Sequence, residues 1–146
     1  YLPIELNAAY LYAQLEVADK INEKRLSIWN RYWDGLEKLS DEGKIVRPTI
    51  PEGCAHNAHM FYLKARDLEE RTALISYLKE QGVQAVFHYI PLHTAPAGRR
   101  YGMFAGEDRY TTRESERLVR LPLYYNLSLE QADYVIDKVN AFYKER

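Results

Sequence analysis

The segment 87–93 holds the side chains best suited to chemistry, in the order Phe-His-Tyr-Ile-Pro-Leu-His. Its His88, Tyr89 and His93 carry groups that can both donate and accept hydrogen bonds, which suits recognition of sugar hydroxyls or of a phosphate. The segment closes a predicted strand and leads into a glycine-rich stretch, a place where ligand contacts are common. A strand end whose polar side chains simply reach solvent fits the same pattern, so both interpretations stand at this point.

A metal site is the second chemistry that the histidines suggest, because His56 and His59 form another close pair. Residues three apart on a strand point to opposite faces of the sheet, so these two would not share one ion. No carboxylate sits directly beside either pair, and Cys54 is the only thiol. We therefore expect no metal ion, and a metal-dependent sensor is kept as a third hypothesis.

Motifs of nucleophilic catalysis and of phosphate-binding loops are missing from the sequence. It contains no Gly-x-Ser-x-Gly, no Gly-x-Gly-x-x-Gly and no Gly-x-x-x-x-Gly-Lys. Cys54 near His56 could form a thiolate pair, but an inert thiol, buried or half-buried, is favoured. Arg99 and Arg100 beside Tyr101 could meet a phosphate, or they could lie exposed in a loop. No catalytic residue is assigned.

Composition and charge narrow the class of protein. The 20 basic and 21 acidic residues leave a formal net charge of −1, which argues against nucleic acid as a partner. No apolar run reaches the roughly 18 residues that a membrane span needs. No basic-then-apolar leader is present, and the lone Cys54 suits a reducing compartment, so a cytoplasmic location is expected.

One long helix is predicted over residues 3–39, because apolar residues recur three and four positions apart. Unbroken, it would measure ~55 Å at ~1.5 Å per residue, against a diameter of roughly 40 Å for a globule of this size. Its overhanging end, residues 4–15, is apolar on all sides and must be covered by another surface. We expect an upstream domain or a second subunit there, and a kink that folds the first turns back is the alternative. Tyr1 in place of methionine agrees with a processed chain or a fragment.

The remainder of the chain predicts an α+β fold, in which helices pack on a small, mostly antiparallel sheet. Strands are predicted at 44–47, 56–65, 83–89 and 120–123, and helices after Asp67, Thr111 and Ser128. Each of these helix starts is followed three positions later by a glutamate or a glutamine, as in a capping box. Residues 93–109 are predicted to form a loop, long enough to suggest a function.

Four segments in this order give the sequence a family resemblance. They are Glu-Leu-Asn-Ala-Ala at 5–9 with Ala-Gln-Leu at 13–15, Ala-His-Met-Phe-Tyr at 58–62, the segment 88–93, and Leu-Pro-Leu at 121–123. The chain resembles the C-terminal part of the DegT/DnrJ/EryC1/StrS sugar aminotransferases over essentially its whole length. The resemblance implies the small domain of a fold-type I, pyridoxal-phosphate-dependent transferase. Residues 1–40 would be a long interdomain or interface helix and residues 41–146 a small α+β domain, with the large cofactor-binding domain outside this chain.

The same resemblance implies an enzyme that moves an amino group from glutamate to the 4-keto carbon of a dTDP-4-keto-6-deoxyhexose. A lysine would hold pyridoxal phosphate as a Schiff base in the large domain, where an aspartate pairs with the pyridine nitrogen. No lysine of this chain follows the serine-rich strand that precedes the family's Schiff-base lysine. The chain alone is therefore expected to be inactive and to bind no cofactor. Its expected partners are the upstream large domain, a second copy in a homodimer, the nucleotide sugar and glutamate.

Individual residues match family positions with assigned roles. His88, Tyr89 and His93 match the part that lines the sugar-nucleotide cleft, so the resemblance predicts that they bind substrate. Tyr1 matches an aromatic position in a loop that contacts the cofactor phosphate of the neighbouring subunit, which makes it the predicted cofactor-binding residue. Leu2 stands where the family usually has arginine. A non-catalytic dimerisation or ligand-binding module is the alternative function.

Overall fold

The computed structural model describes residues 4–144. In this part of the chain three helices come first, and three short strands are then separated by helical segments. In order they are α1 (Glu5–Leu15), α2 (Ala18–Gly35), α3 (Glu37–Asp41), β1 (Phe61–Lys64), α4 (Leu68–Glu80), β2 (Val86–Phe87), a 3-10 turn (Leu92–Thr94), α5 (Pro96–Tyr101), α6 (Thr111–Arg117), β3 (Leu118–Leu121) and α7 (Leu129–Lys144). This is the α+β class that the sequence predicts. None of these helices is both long and apolar enough to cross a membrane.

The strands of the described residues form one antiparallel sheet in the order β1-β3-β2. Phe61 pairs with Leu121, and Phe87 pairs with Val119. Side chains alternate between the two faces of a sheet, and the face that carries Phe61, Val119 and Leu121 is buried. The prediction of a small, mostly antiparallel sheet is confirmed.

Helices α2 and α4 pack on the buried face of the sheet, and α7 packs against both. Trp29 stacks on Trp33 with ring centroids 5.1 Å apart, and it meets the edge of Phe61 at 5.4 Å. Tyr32 is fully buried, and its hydroxyl donates to the carbonyl of Pro122 at 2.8 Å. Burial raises the pKa of the Tyr32 phenol, so this group stays a donor. The bond fixes the chain just beyond β3.

Two of the three predicted helix caps are confirmed. At α7, the N–H of Gln131 donates to the Ser128 hydroxyl at 3.1 Å, and the N–H of Ser128 donates to the Gln131 side chain at 3.0 Å. At α4, the N–H of Glu70 donates to the Asp67 carboxylate at 2.8 Å, while the Glu70 carboxylate accepts from the N–H of Arg66. These bonds satisfy N–H groups that a helix start leaves unpaired.

The single helix predicted over residues 3–39 is divided into α1, α2 and α3, so the prediction of an unbroken helix is wrong. At the first break, the N–H of Val17 donates to the carbonyl of Gln14, three residues back rather than four. Val17 is β-branched, which disfavours continuation of the helix. The second break follows Gly35, where a Cβ atom would lie only 2.6 Å from the Cδ1 atom of Ile136. Gly35 therefore permits close packing of α2 on α7.

Helix α1 lies on the outside of the fold and has no buried residue. Leu6 is 75% exposed, Tyr10 72% and Tyr12 67%. The apolar end predicted from the sequence is thus uncovered, and a partner that covers it stays a prediction. Pro3, the first residue of the predicted helix, lies outside the described residues.

The predicted strands are shorter or displaced in the structure. Of the strand predicted at 56–65 only β1 forms, and of the strand predicted at 83–89 only β2 forms. The strand predicted at 120–123 lies two residues earlier, as β3. The strand predicted at 44–47 is reduced to a bridge between Val46 and Lys64. The residues before β1 form a turn, in which Ala58 has a φ of +49° and its N–H donates to the Nδ1 atom of His56. Arg25 secures this turn by donating to the Ala58 carbonyl. A left-handed residue held in this way cannot continue a strand.

The loop predicted over residues 93–109 is partly helical, because it contains the end of the 3-10 turn and all of α5. Pro96 stands at the start of α5, where its missing N–H breaks no helical hydrogen bond. Gly98 lets α5 lie against the 3-10 turn, since a Cβ atom there would fall 1.7 Å from the Leu92 carbonyl oxygen. Proline and glycine usually indicate a loop, but here Pro96 begins a helix and Gly98 allows that helix to pack closely against the 3-10 turn.

Candidate functional site

His93 lies in a hydrogen-bonded cluster with Asp108 and Thr112. Its Nε2 atom is 2.8 Å from the Oδ2 atom of Asp108 and 3.3 Å from the Thr112 hydroxyl. That hydroxyl donates to the same carboxylate, and so does the backbone N–H of Thr112 at 3.3 Å. Asp108 therefore ties the 3-10 turn that carries His93 to the first turn of α6.

Asp108 also caps α6, so the capping box predicted for Thr111 and Glu114 is wrong. The helix begins after Tyr110, which makes no side-chain cap. Glu114 pairs instead with Lys64, whose Nζ atom is 2.7 Å from the carboxylate. This hydrogen bond is the main reason that the pKa of Glu114 lies below its ordinary value. Glu114 therefore links α6 to β1 instead of capping α6.

The hydrogen bonds of this cluster keep the Asp108 carboxyl group ionised. The hydrogen bond from the Thr112 hydroxyl is the main reason that the pKa of Asp108 lies below its ordinary value. The hydrogen bonds from the Thr112 N–H and from His93 lower this pKa further. Asp108 is therefore ionised at neutral pH, and an ionised carboxylate only accepts hydrogen bonds. It follows that the Nε2 atom of His93 carries the proton in the bond between them.

The rings of His88 and Tyr89 lie side by side just after β2, but the two residues make different hydrogen bonds. The Nδ1 atom of His88 is 3.3 Å from the Nη1 atom of Arg120 on β3, and its ring lies 4.5 Å from that of Tyr89. The Tyr89 side chain is exposed, whereas its carbonyl accepts from the Ser115 hydroxyl at 2.6 Å. The backbone of Tyr89 is thus fixed to α6 while its phenol is free to meet a ligand.

Two neighbouring hollows lie around this segment. Tyr89 lines a cavity of about 630 Å³ between α4, α6 and the end of β2. His93 lines a hollow of about 420 Å³ beside Phe104, whose ring is 4.4 Å from the imidazole. Arg99 of α5 lines both. The structure therefore brings Tyr89 and His93 to adjacent hollows and places His88 outside both.

Sequence reasoning missed two residues of this site, Asp108 and Arg71. Asp108 is distant from His93 along the chain, and no local pattern connects them. Arg71 of α4 lines the larger cavity, but in the sequence it resembles any charged residue on a solvated helix face. Of the two arginines noted beside Tyr101, Arg99 lines the cavity, whereas Arg100 lies over the Tyr101 ring at 5.0 Å.

A metal ion and pyridoxal phosphate each need particular side chains grouped in one place. Within residues 4–144, no three His, Cys, Asp or Glu side chains are grouped to hold a metal. No lysine lines the cavity beside Tyr89 or the hollow beside His93, so no side chain there could hold the cofactor as a Schiff base. Tyr1, the predicted cofactor-binding residue, lies outside the described residues.

Cys54 is exposed, so the prediction of a buried or half-buried thiol is wrong. Its N–H donates to the carbonyl of Pro51 at 3.1 Å, in a turn formed by residues 51–54. The ring of His56 packs on Trp29, with centroids 4.5 Å apart, and its Nδ1 atom accepts from the N–H of Ala58. His56 is therefore engaged elsewhere and is not placed as a base for the thiol.

Comparison with known sequences identifies relatives along almost the whole chain. The profile of the DegT/DnrJ/EryC1/StrS aminotransferase family matches residues 4–140. The chain is 31% identical over 140 residues to the dTDP-3-amino-3,6-dideoxy-alpha-D-galactopyranose transaminase of Aneurinibacillus thermoaerophilus, covering 94% of this chain and 36% of that protein. It is 28% identical over 141 residues to the pleiotropic regulatory protein of Geobacillus stearothermophilus, covering 96% and 37%.

Solved structures of aminotransferases also resemble this chain in fold. The S. venezuelae protein DesV, in complex with a ketimine intermediate, matches with a TM-score of 0.80 and 26% identity, covering 95% of this chain and 36% of that one. The aminotransferase TlmJ of Streptoalloteichus hindustanus matches with a TM-score of 0.80 and 27% identity, covering 92% and 35%. The chain spans little more than a third of the length of these relatives. With a profile match that runs from α1 into α7, the protein belongs to the DegT/DnrJ/EryC1/StrS aminotransferase family.

Proposed function

We propose that this chain is the C-terminal domain of a pyridoxal-phosphate-dependent sugar-nucleotide aminotransferase. The reaction moves the amino group of glutamate to the 4-keto carbon of a dTDP-4-keto-6-deoxyhexose, as in the dTDP-4-amino-4,6-dideoxygalactose transaminase of enterobacterial common antigen synthesis. The family match over residues 4–140 carries the proposal. A Tyr89-lined cavity of about 630 Å³, a volume suited to a small ligand, supports it.

In this proposal Tyr89, His93 and His88 contact the nucleotide sugar. The exposed phenol of Tyr89 offers a donor to the ligand. The Nε2 atom of His93 is engaged by Asp108, so its Nδ1 atom is left to form a hydrogen bond with a sugar hydroxyl. His88 faces Arg120 through Nδ1, which leaves its Nε2 atom for the substrate. Asp108 acts only through His93 and is a positioning residue.

The cofactor belongs to the part of the proposed enzyme outside this chain. Pyridoxal phosphate supplies the electron sink for amino transfer when it is bound. We place its lysine and aspartate partners in an upstream large domain, so the chain alone is inactive and binds no cofactor. Residues 1–40, with exposed α1, form the contact with that domain or with a second copy in a homodimer, and residues 41–146 form the small domain. The enzyme works in the cytoplasm on the nucleotide sugar and glutamate.

The test uses the full-length gene product with Tyr89→Phe. Tyr110→Phe is the matched control, because Tyr110 is 72% exposed, close to the 73% of Tyr89, and lines neither hollow. Loss of one hydrogen bond is expected to raise the KM for the nucleotide sugar about five-fold. The half-reaction with glutamate, followed by cofactor absorbance, is expected to stay unchanged. Equal kinetics in both variants, or a defect confined to the glutamate half-reaction, would contradict the proposal.

A non-catalytic dimerisation module is the second candidate, and the exposure of α1 favours it. Such a module would form dimers on concentration and would show no affinity for pyridoxal phosphate in any longer form of the gene product. Cofactor absorbance of the full-length protein separates the two functions, since the enzyme retains the cofactor after purification and the module does not.

A further inference from the structure

Arg71 of α4 is a cation that the fold partly buries, and it makes no side-chain hydrogen bond or ion pair among the described residues. Its Nε atom is buried and makes no hydrogen bond within residues 4–144. No carboxylate of those residues forms an ion pair with it. Burial lowers the pKa of Arg71, and the charge of Glu116 only partly opposes this. An unpaired buried donor costs free energy, and such groups are usually matched by a water or an ion.

Arg47 provides the contrast, because its Nε atom is also buried and unpaired. The Arg47 guanidinium lies over the Trp33 ring at 4.3 Å, and its terminal nitrogens donate to the Trp33 carbonyl and the Glu37 carboxylate. Arg71 has the aromatic contact, over Phe87 at 5.1 Å. Among the described residues, Arg71 has no hydrogen-bond acceptors like the carbonyl and the carboxylate that Arg47 meets, so its guanidinium can bind a ligand.

Arg71 lines the 630 Å³ cavity together with Arg99, Ser76 and Tyr89. The last three side chains are exposed and can turn their donors toward a bound molecule. The hydroxyls of Thr112 and Ser115, on the same wall, already donate to oxygens of the protein. The free donors of the cavity are therefore two guanidinium groups and two hydroxyls.

Glu116 is the acidic side chain that faces these donors across the cavity. With Arg71 and Arg99 on the other walls, the lining carries two positive charges against one negative charge. Such a balance favours an anion over a cation. Guanidinium groups suit phosphate in particular, since their planar array of N–H donors matches its oxygens.

We propose that this cavity binds the phosphoryl group of a small ligand between Arg71 and Arg99, with the hydroxyls of Ser76 and Tyr89 as further donors. The volume of about 630 Å³ leaves room for more than the phosphoryl group itself. Two sources of the group share this chemistry. One is the diphosphate of the nucleotide sugar, an identification that rests on the proposed function, and the other is free inorganic phosphate.

The test is a titration of the whole ¹⁵N-labelled chain with inorganic phosphate and, separately, with thymidine diphosphate, followed by NMR. Sodium chloride at equal ionic strength controls for general salt effects. Saturable shifts are expected for amides of α4 around Arg71 and of α6 around Ser115. Tighter binding of thymidine diphosphate supports a nucleotide as the source, and equal affinity supports free phosphate.

Two substitutions are expected to move the affinity in opposite directions. Arg71→Gln removes a charge-assisted hydrogen bond and weakens binding about ten-fold. Glu116→Gln removes the competing negative charge and strengthens binding about two- to five-fold. Arg100→Gln is the matched control, because Arg100 neighbours Arg99 but does not line the cavity.

Misfolding cannot imitate the gain expected from Glu116→Gln, and Arg71→Lys, which keeps the charge, is expected to restore part of the binding. The proposal is overturned when neither anion shifts the cavity residues, or when the Arg71→Gln and Arg100→Gln variants bind with equal affinity. Either failure leaves the amino-transfer proposal standing, because that proposal is judged by the KM of the full-length enzyme for the nucleotide sugar.

Discussion

The Nε2 atom of His93 lies 2.8 Å from the Oδ2 atom of Asp108, although 15 positions separate the two residues. The same carboxylate accepts from the hydroxyl and the N–H of Thr112. The pair thus closes the segment between the 3-10 turn and α6 and holds the imidazole in one orientation. A ligand that meets His93 therefore meets a ring whose Nε2 atom is already engaged by Asp108.

Asp108→Asn is expected to release the ring of His93, because the neutral amide can donate as well as accept and no longer selects one tautomer. Imidazole ¹⁵N shifts should change from those of a single Nε2–H tautomer to an average of both. Glu107→Gln is the control, since Glu107 is adjacent and exposed and pairs with Arg109. Identical imidazole shifts in the Asp108→Asn variant and the unmodified chain would contradict this role for Asp108.

The contribution of Asp108 to stability is expected to depend on pH. Its hydrogen bonds, chiefly from Thr112, hold the pKa of Asp108 below the ordinary value, so the ionised form stabilises the fold above about pH 3.9. As the pH falls through the lower folded-state pKa, the carboxylate is protonated and this contribution disappears. The difference in urea stability between the unmodified chain and the Asp108→Asn variant should therefore be larger at about pH 5 than at about pH 2. A difference that persists or grows on acidification would count against it.

Gly98→Ala is expected to displace α5 from the 3-10 turn. The new Cβ atom would fall 1.7 Å from the carbonyl oxygen of Leu92, and no side-chain rotation relieves a clash with backbone. The expected cost is about 1–3 kcal/mol, as for other forced overpacking. NMR amide shifts of residues 92–101 should change while those around Phe61 in the core do not. Ala97→Ser, an exposed change in the same helix, should leave all of these shifts nearly unchanged, and equal behaviour of the two variants would refute the close contact.

The uncovered apolar surface of α1 is expected to drive association of the isolated chain. Leu6→Lys combined with Tyr10→Lys should lower the association measured by sedimentation velocity over a range of concentrations. Asn7→Lys with Gln14→Lys adds the same charge to the same helix at polar positions and is the control. A chain that stays monomeric throughout, or two double variants that behave alike, would show that the apolar side chains of α1 do not mediate contact.

The course of the chain was largely predictable from local patterns. Alternating and helical spacing gave the α+β class, and Ser128 with Gln131 marked the start of α7. One failure occurred where tertiary contacts override local preference, because Arg25 holds Ala58 in a turn where a strand was expected. The break at Val17 was missed for another reason, since no proline or glycine marks it.

The site was less predictable than the fold. His88, Tyr89 and His93 stood out because their side chains can both donate and accept hydrogen bonds and lie at or just after the end of a predicted strand. Asp108 and Arg71 did not stand out, because only the folded structure shows that Asp108 meets His93 and that the Nε atom of Arg71 has no partner among the described residues. Nothing in the residues around Arg71 along the chain distinguishes an arginine whose Nε atom is buried and unpaired from a solvated one.

We propose that this chain is the C-terminal part of an enzyme that aminates a nucleotide sugar. The first experiment measures 2-oxoglutarate formed from glutamate with dTDP-4-keto-6-deoxyglucose, for the full-length gene product and for this chain alone. We expect an amino sugar and cofactor absorbance from the full-length protein, and neither from the chain alone. Amino transfer by the chain alone, or a full-length product that aminates no dTDP-4-keto-6-deoxyhexose, would refute the proposal.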